Sequence, residues 1–312
     1  MNVVYSENDI LRETESIVTV GTFDGMHLGH RAIIGEVLSR ARTHQARSVV
    51  LTFTPHPREV VGRGPVKYLS NLEERLEILE TMGIDVTVVL KFTYEFSRLS
   101  SREFYQRYVV QRVGVRQVVV GHDHMFGKDR EAGVRELQQI GRDLGFTAVI
   151  VPPVVVNDEV VSSTAIREHL LRGEVDLAER LLGRPYDVQG IVVKGDGRGA
   201  ELGFPTANIE MDDPNKLVPA SGVYVVRADL GLKRLHGMLN IGMRPTFETD
   251  HRQTVEVHFF DFHDEIYGEH LSVSFIKRLR DEKKFSSRDD LTTQLRQDQR
   301  ECMKYLGQVY QL

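Results

Sequence analysis

Apolar and polar positions in the first half of the chain form two kinds of alternating segment. Short and continuously apolar runs, which predict buried strands, are SIVTVG, RSVVLTF, DVTVVLKF, RQVVVG and FTAVIV. Segments with apolar residues three or four positions apart, which predict helices, are HRAIIGEVLSRAR, SNLEERLEILETMG, SREFYQRYVVQRVG and GVRELQQIGRDLG. This alternation is typical of a parallel sheet flanked by crossover helices. We therefore predict a Rossmann-like α/β domain.

Two helix boundaries follow from local signals. Ser70 and Glu73 have the spacing of a capping box, and Gly83 follows as a stop signal, so a helix is expected between them. The segment SSTAIREHLLRGEVDLAERLLG predicts further helix with a break near Gly173.

The pattern changes after the segment GRPYDVQG. From there, short alternating runs separated by turns include YDVQGIVVKG, GVYVVRADL, RLHGMLNIG, QTVEVHFFDF and EHLSVSFIK. Such runs predict an antiparallel barrel or sandwich, and a terminal helix is expected from about Ser287. We place one domain at residues 1–183 and a second at 184–312.

Composition narrows the classes of partner. The chain has 312 residues, 41% hydrophobic and 27% charged, with a formal net charge of −5. This charge offers no electrostatic reason to expect nucleic acid or an anionic membrane as a partner. The sequence shows neither a signal-peptide layout nor a long apolar run, so we expect a cytoplasmic protein. Cys302 is the sole cysteine, which excludes an internal disulfide. The oligomeric state cannot be predicted from the sequence.

The stretch VGTFDGMHLGHRAI lies where the first strand ends and the first helix begins. Its glycines allow a tight turn, and a helix start offers free N–H groups and the positive end of the dipole to phosphate. His27 and His30 are three positions apart, which puts both imidazoles on one side of the helix. Such a pair suits donation to a polyphosphate whose α-phosphorus is under attack.

Other roles for these histidines remain open from the residues alone. A zinc pair would need a third ligand nearby, and either histidine could instead cap the helix. Two other glycine-rich segments, GHDHMFGKD and GDGRGAELG, depart from the spacing of a P-loop and of a dinucleotide-binding turn respectively.

A second candidate site lies in the second half. In LGFPTANIE, Thr206 and Asn208 alternate on one face of an extended segment and offer oxygen ligands that suit Mg²⁺. In TVEVHFFDF, Glu256 projects from the face opposite the apolar residues, where a carboxylate could take a proton from an attacking hydroxyl. Taken alone, PTAN could be a turn that leads into a strand, and Glu256 could be a solvated carboxylate.

The segments GTFDGMHLGH and VSSTAIR together resemble the adenylyltransferase half of bacterial FAD synthetases, within the nucleotidylyltransferase superfamily. The resemblance implies that His27 and His30 act on ATP phosphates as catalytic residues. It also implies these ATP-binding residues: Gly21, Phe23, Asp24, Gly29, Ser162, Ser163, Thr164 and Arg167. Independently, Ser162 to Thr164 read as a helix-capping cluster, with Arg167 one turn further on.

Two further segments, FTPHP and VGHDHMFG, are similar to the same family. They imply flavin contacts at Asp123 and Phe126. His124 stands where the family has an aromatic residue, and Thr54 where it has Asp or Asn. His122 and His124 could alternatively form a two-histidine metal pair, for which the sequence offers no further ligand.

The second half resembles the riboflavin kinase domain through GDGRGAELGFPTANI, SGVYVV, GMLNIGMRPTF and TVEVHFFDFHDEIYG. The resemblance implies a small antiparallel barrel in which Thr206 and Asn208 hold Mg²⁺–ATP, with Gly197 and Gly199 near the nucleotide. Glu256 is the implied general base for the ribityl hydroxyl.

Together these resemblances imply a bifunctional enzyme that phosphorylates riboflavin to FMN and adenylylates FMN to FAD. ATP is the implied substrate of both steps, with Mg²⁺ as cofactor. Two alternatives remain: a nucleotidylyltransferase for another small phosphate, or a flavin- or nucleotide-sensing regulator without activity. The first is disfavoured by FPTAN and Glu256, and the second by the presence of the complete set of candidate catalytic residues.

Overall fold

A computed structural model of the protein describes residues 1–13, 15–62, 66–125, 127, 133–195, 197–231, 233–244 and 252–310. The chain divides into two compact units, Met1–Ser163 and Thr164–Leu312. The predicted boundary at residue 184 lies two helices beyond this division and stays a prediction. Across the described residues, none of the helices combines the length and apolar character needed to cross a membrane.

The first unit contains a six-stranded parallel sheet with helices between its strands. Its strands are β1 (Asn2–Val4), β2 (Ser16–Val20), β3 (Ser48–Thr54), β4 (Val86–Lys91), β5 (Val115–Gly121) and β6 (Thr147–Val151). They lie in the order β1-β4-β3-β2-β5-β6. Its helices are α1 (Leu28–His44), α2 (Pro57–Val60), α3 (Leu72–Met82), α4 (Tyr94–Ser97), α5 (Ser101–Phe104), a π-helix (Tyr105–Val113) and α6 (Val134–Leu144). A short hairpin follows, with strands β7 (Val155–Val156) and β8 (Glu159–Val160).

Both faces of this sheet are covered, which explains why its central strands are continuously apolar. Val18 and Leu51 pack in one hydrophobic cluster. Ile17 and Val50, their neighbours in sequence, pack in a second cluster with residues of α1. The predicted parallel sheet with flanking helices is confirmed.

Two local predictions need correction, and one strand was not predicted. The capping box of α3 is formed by Asn71 and Glu74, one residue after the predicted pair. Ser70 is unavailable for that cap because its hydroxyl accepts a hydrogen bond from the backbone N–H of Gly25 at 2.7 Å. The helix expected over residues 101–114 is a π-helix for most of its length. Strand β1, which pairs in parallel with β4, was missed because three residues are too few to show a period.

The second unit is built around a closed six-stranded barrel. Its strands are β9 (Tyr186–Val193), β10 (Ala207–Met211), β11 (Gly222–Leu230), β12 (Lys233–Arg244), β13 (Arg252–Phe259) and β14 (His270–Arg280). They close in the order β10-β13-β12-β11-β14-β9, with antiparallel pairing throughout. The helices are α7 (Ser163–Leu171), α8 (Val175–Leu182), α9 (Arg198–Glu201) and α10 (Arg288–Tyr310). The predicted antiparallel barrel with a terminal helix is confirmed.

A buried ion pair attaches the terminal helix α10 to the barrel. Arg280 of β14 donates from Nε and Nη2 to the carboxylate of Asp298, which also accepts from Gln294 at 2.8 Å. Asp298 is 1% exposed. Cys302 and Leu306 continue the same buried face of the helix.

We expect Asp298→Ala to lower the free energy of unfolding of the barrel by about 3 kcal/mol or more, because it leaves the Arg280 guanidinium buried without its carboxylate. Chemical denaturation followed by circular dichroism measures the change. Glu201→Ala is the control, since the Glu201–Arg288 pair is exposed and should contribute little. Equal effects of the two substitutions would contradict this interpretation.

Candidate functional site

The histidine motif lies at the carboxyl end of β2, beside the carboxyl end of β5. These two strands are neighbours, while the strand that follows β2 in sequence, β3, lies on the other side of β2. The strand order therefore reverses at this point, and in open α/β sheets such a crevice is the usual place for a ligand. Helix α1 begins here and directs its N-terminus toward the crevice.

His27 is the N-cap of α1, which explains the spacing of the two histidines. Its Nδ1 accepts a hydrogen bond from the backbone N–H of His30 at 3.3 Å, as an Asp or Asn cap would. The two imidazoles stack with ring centroids 3.6 Å apart and an angle of 18° between planes. One of the open interpretations, helix capping, thus applies to Nδ1 of His27.

Both histidines fit the role of neutral donors better than that of charged groups. In the neutral ring of His27, an accepting Nδ1 places the proton on Nε2. Burial, then the neighbouring His27 and Arg75, lower the pKa of His30 well below its usual value. His30 is therefore neutral at neutral pH. Its Nδ1 is buried and has no hydrogen-bond partner among the described residues.

A zinc site formed by these histidines is not supported by their geometry. The nitrogen lone pairs of two stacked and nearly parallel rings run side by side and do not converge on one ion. Within the part of the chain that the structure describes, no group of three or more His, Cys, Asp or Glu side chains could hold a metal ion.

The turn between β2 and α1 is fixed by hydrogen bonds to the carboxylate of its own Asp24. Oδ1 of Asp24 accepts hydrogen bonds from the backbone N–H groups of Leu69 and Ser70 at 3.0 and 2.9 Å. Phe23 and Met26 have positive φ angles of 51° and 42°, and both side chains are buried. Strained backbone of this kind persists where surrounding contacts fix it, often at functional sites. The carboxylate of Asp24 therefore shapes the turn, and direct contact with ATP stays a prediction.

Val161 and Ser163, from the segment VSSTAIR, lie against the same turn. Oγ of Ser163 donates to the carbonyl oxygen of Asp24 at 3.0 Å. A Cβ added at Gly29 would lie 3.2 Å from the ring of His27 and 3.6 Å from the carbonyl oxygen of Val161, so a side chain there would crowd both. The structure thus brings Ser162 and Ser163 to the histidine motif. Thr164 and Arg167 follow in the first turns of α7.

The segment after β5 contributes an unpredicted contact. A Cβ at Gly121 would stand 3.0 Å from Oδ1 of Asp123, so this carboxylate lies at the end of β5. His124 shares a hydrogen bond of 2.8 Å with the hydroxyl of the buried Tyr105, and burial lowers the pKa of His124 to about 4. His124 is therefore neutral at neutral pH. The predicted flavin residue Phe126 lies outside the described residues.

A cavity of about 380 Å³ opens at another part of the same unit. It lies at the carboxyl ends of β1 and β4, with Tyr5, Leu90, Phe96 and Tyr108 among its lining residues. None of the predicted site residues is among its described lining residues. Because β3 separates this edge from β2, the cavity is distinct from the crevice beside the histidines.

The candidate kinase residues form one row across three barrel strands. Asn208 of β10 lies directly opposite Glu256 of β13, which in turn lies opposite Asn240 of β12. Side chains opposite one another in antiparallel strands have Cβ atoms about 5 Å apart. Val255 and Val257 on either side of Glu256 are buried in the barrel, so the row faces outward from its core. Asn240 was not predicted as a site residue.

A glycine-rich loop packs directly on the two proposed metal ligands. A Cβ at Gly195 would overlap the carboxamide of Asn208, and one at Gly199 would overlap the carbonyl of Phe204 and stand 3.3 Å from Oγ1 of Thr206. Gly197 has a φ of 74° at the start of α9 and is exposed. The loop therefore needs glycine in order to approach the PTAN segment this closely.

His258 supports the same segment from the neighbouring strand. Its Nδ1 lies 2.8 Å from the carbonyl oxygen of Pro205, and its ring meets that of Phe204 edge to face at 5.3 Å. His258 is nearly buried, at 9% exposed. It anchors the turn that presents Thr206 and Asn208.

Comparison with known proteins covers both units. Residues 10–165 match the family model of FAD synthetase, and residues 182–306 match that of riboflavin kinase. The bifunctional riboflavin kinase/FMN adenylyltransferase of Bacillus subtilis is 36% identical over 95% of this chain and 94% of its own. The protein of the same description from Escherichia coli K12 is 35% identical, over 93% of both chains.

The chain belongs to the bifunctional riboflavin kinase/FMN adenylyltransferase family. Its FAD synthetase region is N-terminal and its riboflavin kinase region is C-terminal, so it is an enzyme with both activities. A solved structure from Streptococcus pneumoniae, described as a macrolide-efflux protein, is 33% identical with a TM-score of 0.87, covering 96% of this chain and 97% of its own. That similarity supports the fold of the family over the whole chain.

Sequence reasoning missed several residues that shape the two sites of this bifunctional enzyme. In the adenylyltransferase half these are Ser70 and Arg75, and in the kinase half they are Asn240 and His258. Arg75 lies in α3 and is 8% exposed. From the sequence pattern, the charged residues of this helix indicate a solvated face. Asn240 lies in the segment NIG, and its place beside Glu256 follows from the register of that segment against TVEVH. Only the pairing of β12 with β13 shows this register.

Proposed function

We propose that Glu256 is the general base of riboflavin phosphorylation and that the row Asn208–Glu256–Asn240 is the catalytic face of the barrel. The carboxylate of Glu256 would take the proton of the ribityl 5′-hydroxyl as that oxygen attacks the γ-phosphorus of ATP, and ADP leaves. The observation that supports this most directly is the register, which sets Glu256 opposite a proposed metal ligand.

Thr206 and Asn208 are the proposed protein ligands of Mg²⁺. Their hydroxyl and carboxamide oxygens are the kind of neutral, hard donor that Mg²⁺ accepts together with phosphate oxygens and water. Gly195 and Gly199 lie against these side chains, so that a side chain on Gly195 would collide with Asn208 and one on Gly199 would crowd Thr206. When bound, Mg²⁺ neutralises phosphate charge and orients the γ-phosphoryl group.

His27 and His30 are the proposed donors for FMN adenylylation. A phosphate oxygen of FMN would attack the α-phosphorus of ATP, the bond to the β-phosphate bridging oxygen would break, and pyrophosphate would leave. Nε2–H of His27 and the neutral ring of His30 would donate to the phosphate oxygens as negative charge builds up. The N-terminus of α1 adds its dipole to the same place.

The remaining contacts with substrates follow the same assignment. Gly21, Phe23, Gly29, Ser162, Ser163, Thr164 and Arg167 are proposed to surround ATP, and Asp123 to contact the flavin. We further propose that the enzyme is cytoplasmic and, from the net charge of −5, that it binds neither nucleic acid nor membrane.

Chromatography of the flavins formed from riboflavin and ATP tests the proposal. With Mg²⁺ we expect FMN first and then FAD, and excess chelator should stop both steps because Mg²⁺ neutralises phosphate charge in both reactions. FMN formation that proceeds unchanged without a divalent cation would contradict the metal assignment. A chain that makes no product under any condition would instead support a sensor.

A further inference from the structure

Arg75 is a buried cation beneath the turn that carries the histidine motif. It lies in α3 and is 8% exposed. Its Nη1 donates to the carbonyl oxygen of Thr22 in that turn and to Oγ1 of Thr52 at 3.2 Å, while Nε donates to the carbonyl oxygen of Asn71 at 3.2 Å. The side chain therefore connects the turn to the end of β3 and to the start of its own helix.

The charge of Arg75 is only partly compensated by the protein. Asp24 and Glu74 attract the guanidinium electrostatically, but burial is the larger effect and lowers the pKa of Arg75. The hydrogen bonds of this guanidinium go to neutral oxygens: the carbonyls of Thr22 and Asn71 and the hydroxyl of Thr52. A largely buried cation that donates to neutral oxygens favours an anionic ligand nearby.

The charge of Arg75 also reaches the histidine pair. His30 is faced by the ring of His27 on its own helix, by the edge of Phe23 in the turn, and by Arg75 from α3. The two positive or protonatable neighbours add to burial in keeping His30 neutral. Arg75 therefore brings a permanent positive charge close to His30, which is itself uncharged.

We propose that Arg75 is a positioning residue of the adenylyl-transfer site: it holds the histidine-bearing turn through Thr22 and supplies the fixed positive charge that attracts the polyphosphate of ATP. This inference rests on the proposed function of the N-terminal unit. It assigns attraction of the anion to Arg75 and hydrogen-bond donation at the reacting phosphate to the neutral histidines.

The test compares Arg75→Met and Arg75→Lys with a matched control, Arg47→Met. Arg47 also donates to backbone carbonyls of the first unit, those of Leu11 and Val113, but it lies at the amino end of β2 beside Ser16. Conversion of FMN to FAD is measured in each variant, and conversion of riboflavin to FMN serves as the internal control in the same chain. The pKa of His30 is followed by NMR of protein labelled with ¹⁵N-histidine.

For Arg75→Met we expect kcat/KM for FMN adenylylation to fall on the order of 100-fold, with riboflavin phosphorylation unchanged. The pKa of His30 should rise, because a neighbouring positive charge has been removed. Arg75→Lys should restore the pKa of His30 and recover part of the rate, since lysine keeps the charge but not the forked hydrogen bonds. Arg47→Met should leave both the rate and the pKa close to those of the unsubstituted protein.

The proposal is overturned if Arg75→Met adenylylates FMN normally, if the pKa of His30 does not move, or if Arg47→Met reduces the rate equally. If Arg75→Met does not fold, Arg75→Lys decides: loss of the low His30 pKa in that charge-preserving variant contradicts the proposal. An unsubstituted protein that makes FMN but no FAD refutes the proposed adenylyl transfer. In that case the titration of His30 still tests the charge of Arg75.

Discussion

Glu256→Gln should reduce the formation of FMN from riboflavin by a factor of about 1000 or more and leave the conversion of added FMN to FAD unchanged. Glutamine keeps the size and strand position of the residue but cannot accept the proton of the attacking hydroxyl. Because Glu256 lies opposite Asn208 and Asn240 in the barrel, no other carboxylate occupies its place in the row. Chromatography of the flavins separates the two reactions in one sample.

Glu269→Gln is the matched control for this substitution. Glu269 is an exposed carboxylate just before β14 in the same unit, so its loss should leave both activities unchanged. Substantial FMN formation by Glu256→Gln would contradict the assignment of the base. Loss of both activities in a folded protein would contradict the assignment of one activity to each unit.

His30→Ala should have the opposite effect, lowering the rate of FMN adenylylation by a factor on the order of 100 to 1000 while riboflavin phosphorylation continues. The substitution removes one imidazole donor, and it also removes the stacking partner of His27. The backbone N–H that His27 caps remains, so helix α1 should keep its N-terminal hydrogen bond. The expected product pattern is accumulation of FMN from riboflavin and ATP.

His44→Ala provides a control on the same helix. His44 lies in the last turn of α1, at the end opposite the proposed phosphate site, where its ring contacts Gln117. Both activities should survive its removal. If His30→Ala makes FAD at the normal rate, the histidine pair serves only to cap and pack the helix.

The fold was predictable because its elements show strong periodic patterns. The five predicted strands of the first sheet are short, continuously apolar runs, and the helices between them place apolar residues three or four positions apart. The barrel strands alternate instead, as Val255, Val257 and Phe259 do around Glu256. Strand β1 escaped prediction because its pairing with β4 depends on a partner more than eighty positions away, as in the register of Asn2 with Val86.

The candidate sites were predictable to a smaller extent. The histidine motif, PTAN and Glu256 are compact patterns, and the resemblance to known families supplied their roles. The capping box of α3 was misplaced by one residue because the hydroxyl of Ser70 bonds to Gly25, far away in sequence. Arg75 was missed since nothing in a helical pattern distinguishes a charged residue that turns inward from one that faces solvent.

The sequence by itself determined the two fold classes, the order of the two halves and the residue types available for phosphate chemistry, because these depend on local periodicity and short motifs. Tertiary structure decided which polar groups meet: Asn208, Glu256 and Asn240 through strand register, and Thr22, Arg75 and His30 through the packing of α3 under the first turn. It also decided charge, because burial and neighbouring cations keep His30 neutral. Those effects arise from distances through space, which spacing along the chain does not specify.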